Sequence, residues 1–285
     1  MRLFILGLGY SARHFVRRFG DRFSHLAGTV RDPARRDDLA GLELHGFFGS
    51  RPADATINRI RDADVLLVSI PPGNTGDPAL AALGDVLATG RRKVVYLSTI
   101  GVYGDHAGGW VDESTPPQSS LDRARMRAAA EQAWTETPQG NVAILRLAGI
   151  YGPGRNALAT LRSGTARRII KPGQVFNRIH VDDIASAIMA AIRHENGGTW
   201  NVCDDEPAPP QDVIAHAAQL MGIAPPPEEA FETAQMSAMA RSFYSSSARV
   251  SNARLKRELG VALAYPTYRH GLDALWRGGE AKLAP

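Results

Sequence analysis

The chain opens on a short apolar run, Arg2-Leu-Phe-Ile-Leu6, which passes directly into Gly7-Leu8-Gly9-Tyr10-Ser11-Ala12. This is G-x-G-x-x-A at the junction of a predicted strand and a predicted helix, a form of the dinucleotide-binding fingerprint. Each small residue has a distinct job. Gly7 permits the tight turn, Gly9 lets the backbone approach a pyrophosphate, and Ala12 lets the helix lie close to the sheet. The helix start at Tyr10, Ser11 and Ala12 then presents free N–H groups and the positive end of a dipole to an anion. The following segment, His25-Leu-Ala-Gly-Thr-Val30, reads as the second strand of the unit.

Further strands are expected at Asp64–Ile70, Lys93–Ser98, Val142–Leu147 and Thr199–Cys203. Helical spacing appears at residues 10–23, 79–89, 121–136 and 211–222. Strands that alternate with helices give a parallel sheet covered on both faces. The expected fold is therefore α/β, a doubly wound parallel Rossmann sheet. Asp182 or Asp183 is expected to cap a helix carrying Ile184, Ile188 and Ile192 on one face. Residues 236–250 contain Ser242, Ser245, Ser246 and Ser247 and read as a loop. Two short helices are expected around Tyr265-Pro266.

The residues after the second strand read Arg31-Asp32-Pro33-Ala34-Arg35-Arg36. An arginine there suits a 2′-phosphate, whereas a carboxylate suits a ribose 2′-hydroxyl. Arg31, Arg35 and Arg36 favour NADP; Asp32 keeps NAD open. Ser69, Ile70 and Pro71 end the strand beginning at Asp64 and are placed on the adenosine side of the cofactor.

Later segments resemble one family in order: Leu97-Ser-Thr-Ile-Gly-Val-Tyr-Gly104, Ile144-Leu-Arg-Leu-Ala-Gly-Ile-Tyr-Gly-Pro-Gly154, Ile179-His-Val-Asp-Asp183, Trp200-Asn-Val202 and Asn252–Gly260. Together they resemble the extended short-chain dehydrogenases/reductases, the NAD-dependent epimerase/dehydratase group. The resemblance implies a Rossmann domain over residues 1–152 plus about 176–203. It also implies a smaller α+β substrate domain over 153–175 plus 204–285. Thr99 matches the catalytic Ser/Thr position, with Ser98 as the second choice, and such a hydroxyl holds a substrate oxygen. His180 falls where the family lines its substrate cleft. Tyr151 is a further substrate candidate, and Arg155 and Arg178 suit an anionic or sugar-like substrate, set against a surface role. For His180, a pocket role and a helix-capping role stand even.

The chain departs from the family at its acid/base. The family uses a tyrosine followed four residues later by lysine, and no Tyr-x-x-x-Lys occurs here. Only Lys93, Lys171, Lys256 and Lys282 are present, against 33 basic residues in all. Anchoring on Glu131 puts Arg123 at the tyrosine position and Arg127 at the lysine position. Arg127 can still hold a nicotinamide ribose, but Arg123 is no general acid near neutral pH. Tyr103 is the remaining candidate acid, set against a packing role. These departures resemble the atypical branch of the superfamily. Two functions follow: an oxidoreductase or epimerase/dehydratase-like enzyme acting at a hydroxyl or carbonyl carbon, or a non-catalytic NADP(H)-binding sensor that docks a partner.

The net charge of +4 is too mild to demand nucleic acid or membrane as partner. The single cysteine, Cys203, excludes an intrachain disulfide and suits a reducing, cytoplasmic setting. No His/Cys cluster has metal spacing. An oligomer is compatible with the family pattern.

Overall fold

The computed structural model describes residues 1–32, 41–138 and 140–280. Seven strands form one sheet, in the spatial order Gly198–Val202, Val142–Leu147, Lys93–Thr99, Val65–Val68, Arg2–Leu6, His25–Val30 and Glu43–Gly46. Every pairing is parallel. The order reverses between Arg2–Leu6 and Val65–Val68, and the register Leu6↔Val68 brings their carboxyl ends level. Ligands of open α/β sheets bind in the crevice at such a reversal.

The strands are apolar on both sides because both faces are covered. On one face Leu3, Ile5, Val95 and Leu145 pack with Phe15 of helix Tyr10–Phe19 and Ile184 and Ile188 of helix Val181–Arg193. On the other, Phe4, Leu66, Val94 and Tyr96 pack with Ile57, Leu83 and Trp134, from helices Asp54–Asp62, Pro78–Leu87 and Asp122–Thr135. A separate apolar cluster joins Tyr151, Leu158, Val213, Ala217, Tyr268 and Leu272. It is built by helices Ala157–Arg162, Pro210–Met221 and Tyr268–Arg277. Short parallel ladders, Gly149–Tyr151 with Arg178–His180 and Arg168–Ile170 with Glu228–Ala230, lie beyond the main sheet.

Three local expectations change. Strand Glu43–Gly46 and helix Asp54–Asp62 appear in a stretch for which the sequence predicts no element. The Ser-rich stretch contains helix Ala238–Phe243 and strand Arg249–Val250. The cap of helix Val181–Arg193 is neither aspartate: the N–H of Asp182 donates to Nδ1 of His180 at 3.2 Å. Asp183 instead accepts from the N–H groups of Ala264 (2.7 Å) and Tyr265 (3.0 Å), tying the C-terminal segment to this helix.

Candidate functional site

The glycine loop lies at the reversal point. Gly7 has φ +96°, a conformation that strongly favours glycine. A Cβ there would lie 2.8 Å from Ile70 Cγ1 and 3.2 Å from the Ile70 nitrogen. The Gly7 N–H donates to Thr29 Oγ1 (2.9 Å) and that of Leu8 to the Thr29 carbonyl (2.9 Å), fixing the turn to the second strand. Gly9 differs. It is the N-cap of the first helix at φ −82°, with no side chain capping that helix and no acidic residue in its first turn. A Cβ at Gly9 would meet only Ser69 Oγ, at 3.9 Å. An uncapped helix N-terminus facing open space fits a pyrophosphate.

Gly7, Gly9 and the edge formed by Ser69 and Ile70 are thus brought together. Tyr10 stands beside them, and its hydroxyl donates to the Pro153 carbonyl at 2.9 Å. Burial, partly offset by Arg155, pushes this phenol up to about 12, so it remains a neutral donor. The Arg155 guanidinium lies 5.8 Å from the Tyr10 ring centroid. On its far side the Gly-Pro-Gly turn is held by Glu280, which accepts from the Gly154 N–H (2.6 Å) and Asn156 Nδ2 (2.9 Å). Arg31 is exposed directly after the second strand. Arg35 and Arg36 lie outside the described residues.

A second group surrounds the carboxyl end of strand Lys93–Thr99. Thr99 is half-buried, and its Oγ1 accepts from the Gly101 N–H at 3.1 Å. That bond uses the oxygen and leaves the hydroxyl hydrogen to be donated elsewhere. Ser98 is buried and turned toward helix Asp122–Thr135, where its hydroxyl donates to the Glu131 carboxylate. Glu131 also accepts from Arg146 Nη2 (2.7 Å) and Nε (3.1 Å). Arg146 Nη1 donates to the Tyr103 hydroxyl (3.0 Å), which in turn donates to Asn201 Oδ1 (2.8 Å). All five residues are buried. Burial raises the Tyr103 phenol above its ordinary range, against the pull of Arg146.

Arg127 lies one turn before Glu131, with Nη1 on the Leu97 carbonyl (3.0 Å) and the Tyr96 hydroxyl (3.1 Å). Both bonds use one nitrogen, so the rest of the fork is left for a ribose hydroxyl. Arg123, a further turn out, is exposed. It lies against the Ser-rich stretch, with Nη1 donating to Ser242 Oγ at 3.0 Å.

The four cleft candidates separate. His180 is 1% exposed, with its ring 4.0 Å from Tyr265 and edge-on to Tyr151 at 5.2 Å. Burial, helped by His14 and Arg18 and opposed by Asp182, pushes it down to about 4, so it is a neutral cap. Tyr151 is buried beside it. Arg178 Nη1 is held by the Phe176 (2.9 Å) and Ala208 (3.0 Å) carbonyls. Arg155 alone of the four stands at the glycine loop. Among the described residues no three His, Cys, Asp or Glu are placed to hold a metal ion, and no helix is long and apolar enough to cross a membrane.

The model of the NAD dependent epimerase/dehydratase family matches residues 79–203, the segment that holds Ser98, Thr99, Arg127, Glu131 and Arg146. Residues 79–203 thus resemble the domain of that family. Over 239 residues it is 29% identical to protein YeeZ of Escherichia coli (strain K12), covering 78% of this chain and 84% of that one. A solved structure of a conserved protein of unknown function from Silicibacter pomeroyi superposes with TM-score 0.91 at 47% identity, covering 98% of this chain and 99% of that one. MoeE5, solved in complex with UDP-glucuronic acid and NAD, superposes with TM-score 0.79 at 17% identity, covering 99% and 100%. That last likeness is one of fold. The doubly wound parallel architecture expected from the sequence is the fold that these two solved structures share with this chain.

The buried chain through Glu131, Arg146 and Asn201 was not assembled from the sequence. One signal was available: Arg146 is a charge inside the apolar strand Val142–Leu147, and a charge so placed calls for a buried partner.

Proposed function

We propose that this epimerase/dehydratase-type protein binds NADP(H) and acts on a hydroxyl or carbonyl carbon of a small, anionic or sugar-like substrate. The observation that carries the reading is the uncapped, open helix start at Gly9, at the same sheet edge as the free hydroxyl hydrogen of Thr99. Gly7, Gly9, Tyr10, Ser11 and Ala12 would hold the pyrophosphate. Ser69, Ile70 and Pro71 would wall the adenosine, Arg31 would meet the 2′-phosphate, and Arg127 would hold the nicotinamide ribose. When bound, the cofactor supplies a nicotinamide ring able to accept or return hydride. Thr99 donates a hydrogen bond to the substrate oxygen. Ser98 serves that position indirectly: its bond to Glu131 pins the strand end beneath Thr99. Tyr103 positions Arg146 rather than moving a proton, because its hydroxyl already bonds two buried partners. Arg155 would reach a substrate anion beside Tyr10, with Tyr151, Arg178 and His180 forming the wall behind it. The cleft lies between a Rossmann domain (1–152 plus about 176–203) and a smaller domain, and the protein works in the cytoplasm.

A specific observation supports a second reading, that of a non-catalytic NADP(H) sensor. Arg123 replaces the family acid, and Tyr103 is committed elsewhere. Stopped-flow absorbance of bound NADPH against carbonyl and sugar-nucleotide substrates separates the two. Oxidation that Thr99→Val slows roughly 100-fold or more supports the enzyme, since one oriented donor contributes about that much. Tight NADPH binding with no oxidation at any pH leaves the sensor. Thermal shifts with NADPH and NADH test the cofactor. An Arg31→Ala protein with both shifts unchanged removes the NADP preference.

A further inference from the structure

Helix Ala238–Phe243 is anchored unevenly. None of its six residues is buried, and Met239 and Phe243 are 67% and 54% exposed. Its two sides are tied differently. From within the helix, Arg241 Nη2 reaches back to the Ala234 carbonyl at 2.7 Å, so apart from the cap at Ser237 its hold on the preceding segment is a single flexible side chain. After it, Lys171 holds the Tyr244 carbonyl and Gln174 Nε2 holds that of Ser246 (2.8 Å). The Ser247 N–H donates to Asp105 Oδ1 (2.8 Å). The helix also meets Arg123, whose guanidinium carbon sits 4.5 Å from the Phe243 ring centroid and whose Nη1 donates to Ser242 Oγ.

Arg123 shares a helix face with Arg127 and Glu131, one and two turns on. Those two residues bond to Leu97, Tyr96 and Ser98 at the end of the fifth strand. The face therefore points at the Thr99 edge, and Arg123 stands at its mouth. Its present partners are a neutral hydroxyl and an exposed aromatic ring, both weak holds on a guanidinium. A carboxylate or phosphate offers charge-assisted, two-pronged bonds about twice as strong as neutral ones.

We propose that Arg123 is a second anion grip of this site, in addition to Arg155, and that helix Ala238–Phe243 is the flap it holds when no anion is present. An incoming carboxylate or phosphate takes the guanidinium from Ser242 and Phe243, and the flap is released. This rests on the proposed function for the location of substrate, and it gives the arginine at the family's tyrosine position a binding role.

The test is hydrogen–deuterium exchange of residues 238–243 in the full chain, at constant ionic strength set with chloride. Inorganic phosphate and acetate are titrated in separate arms, with and without NADPH. Exchange should rise several-fold with the preferred anion, and the arm that responds at lower concentration distinguishes phosphate from carboxylate. Arg123→Gln should exchange fast from the start and show no response. Gly9→Val, with its dinucleotide cradle blocked, should respond like the parent. No response in the parent overturns the proposal, as does a response that survives in Arg123→Gln. A response lost in Gly9→Val places the anion at the glycine loop and also overturns it. Failure of NADPH to bind, with the Arg123-dependent response intact, refutes the cofactor reading alone.

Discussion

Gly9→Val and Gly7→Ala separate binding from folding within one turn. At Gly9 the backbone is at φ −82°, which any residue adopts, and an added Cβ has only Ser69 Oγ nearby at 3.9 Å. The folded protein should lose no more than about 0.5 kcal/mol, roughly 1–2 °C in Tm. The branched side chain would fill the space a pyrophosphate needs. Backbone N–H groups bonded to a charged oxygen contribute about 1.5–3 kcal/mol each. Losing two weakens NADPH binding roughly 100- to 10,000-fold. At Gly7 the balance is reversed. Alanine there meets φ +96° and a contact of 2.8 Å to Ile70 Cγ1. Strain and overpacking together cost about 2–6 kcal/mol. That lowers Tm by roughly 5–20 °C. NADPH fluorescence titration and thermal melts of both variants give the comparison. A Gly9→Val protein that binds NADPH within a few-fold of the parent shows that the loop is not the cradle. One that melts far below the parent shows that the space at Gly9 is not open.

Other variants address the buried chain and the capping histidine. Arg146→Met strands the Glu131 carboxylate and should cost about 3–5 kcal/mol in urea unfolding, part of it recovered by adding Glu131→Gln. Tyr103→Phe leaves Asn201 and Arg146 each short of a partner and should cost about 1–3 kcal/mol, with the pH–rate profile unchanged. Complete loss of turnover at an unchanged melting temperature would instead make Tyr103 the proton donor. His180 is held near 4 in the fold against about 6.5 unfolded. The unfolded chain takes up the proton first as pH falls, so stability should drop between pH 6.5 and 4, by about 3 kcal/mol at the lower end. In His180→Gln that slope should flatten, and an identical slope in the variant would assign the effect to other groups.

The sequence was most legible where one residue type carries one job. Gly7 and Gly9 mark their turn by the absence of side chains, and the apolar runs at Arg2–Leu6 and Val142–Leu147 mark buried strands. Glu43-Leu-His-Gly46 is a half-buried edge strand whose polar residues break the apolar run, so it carries no strong signal. Helix Asp54–Asp62 buries only Thr56, Ile57 and Ile60, too little for a clear stripe. At the start of helix Val181–Arg193 the sequence offers His180 as well as two aspartates as caps. Aspartate is the stronger intrinsic cap, but Asp183 is taken by the N–H groups of Ala264 and Tyr265, and His180 holds the position. The chain from Ser98 to Asn201 joins residues from strands and helices far apart in sequence, and no local spacing announces it.

The Gly-Pro-Gly turn beside the glycine loop is fastened by Tyr10 on one side and Glu280 on the other, two residues separated by almost the whole described chain. During synthesis the glycine loop leaves the ribosome long before Glu280, the residue that secures its neighbour. A nascent chain can build most of the sheet and still lack a finished cradle. Removing Glu280 therefore loosens the turn beside the glycine loop while leaving the pairings of the main sheet in place.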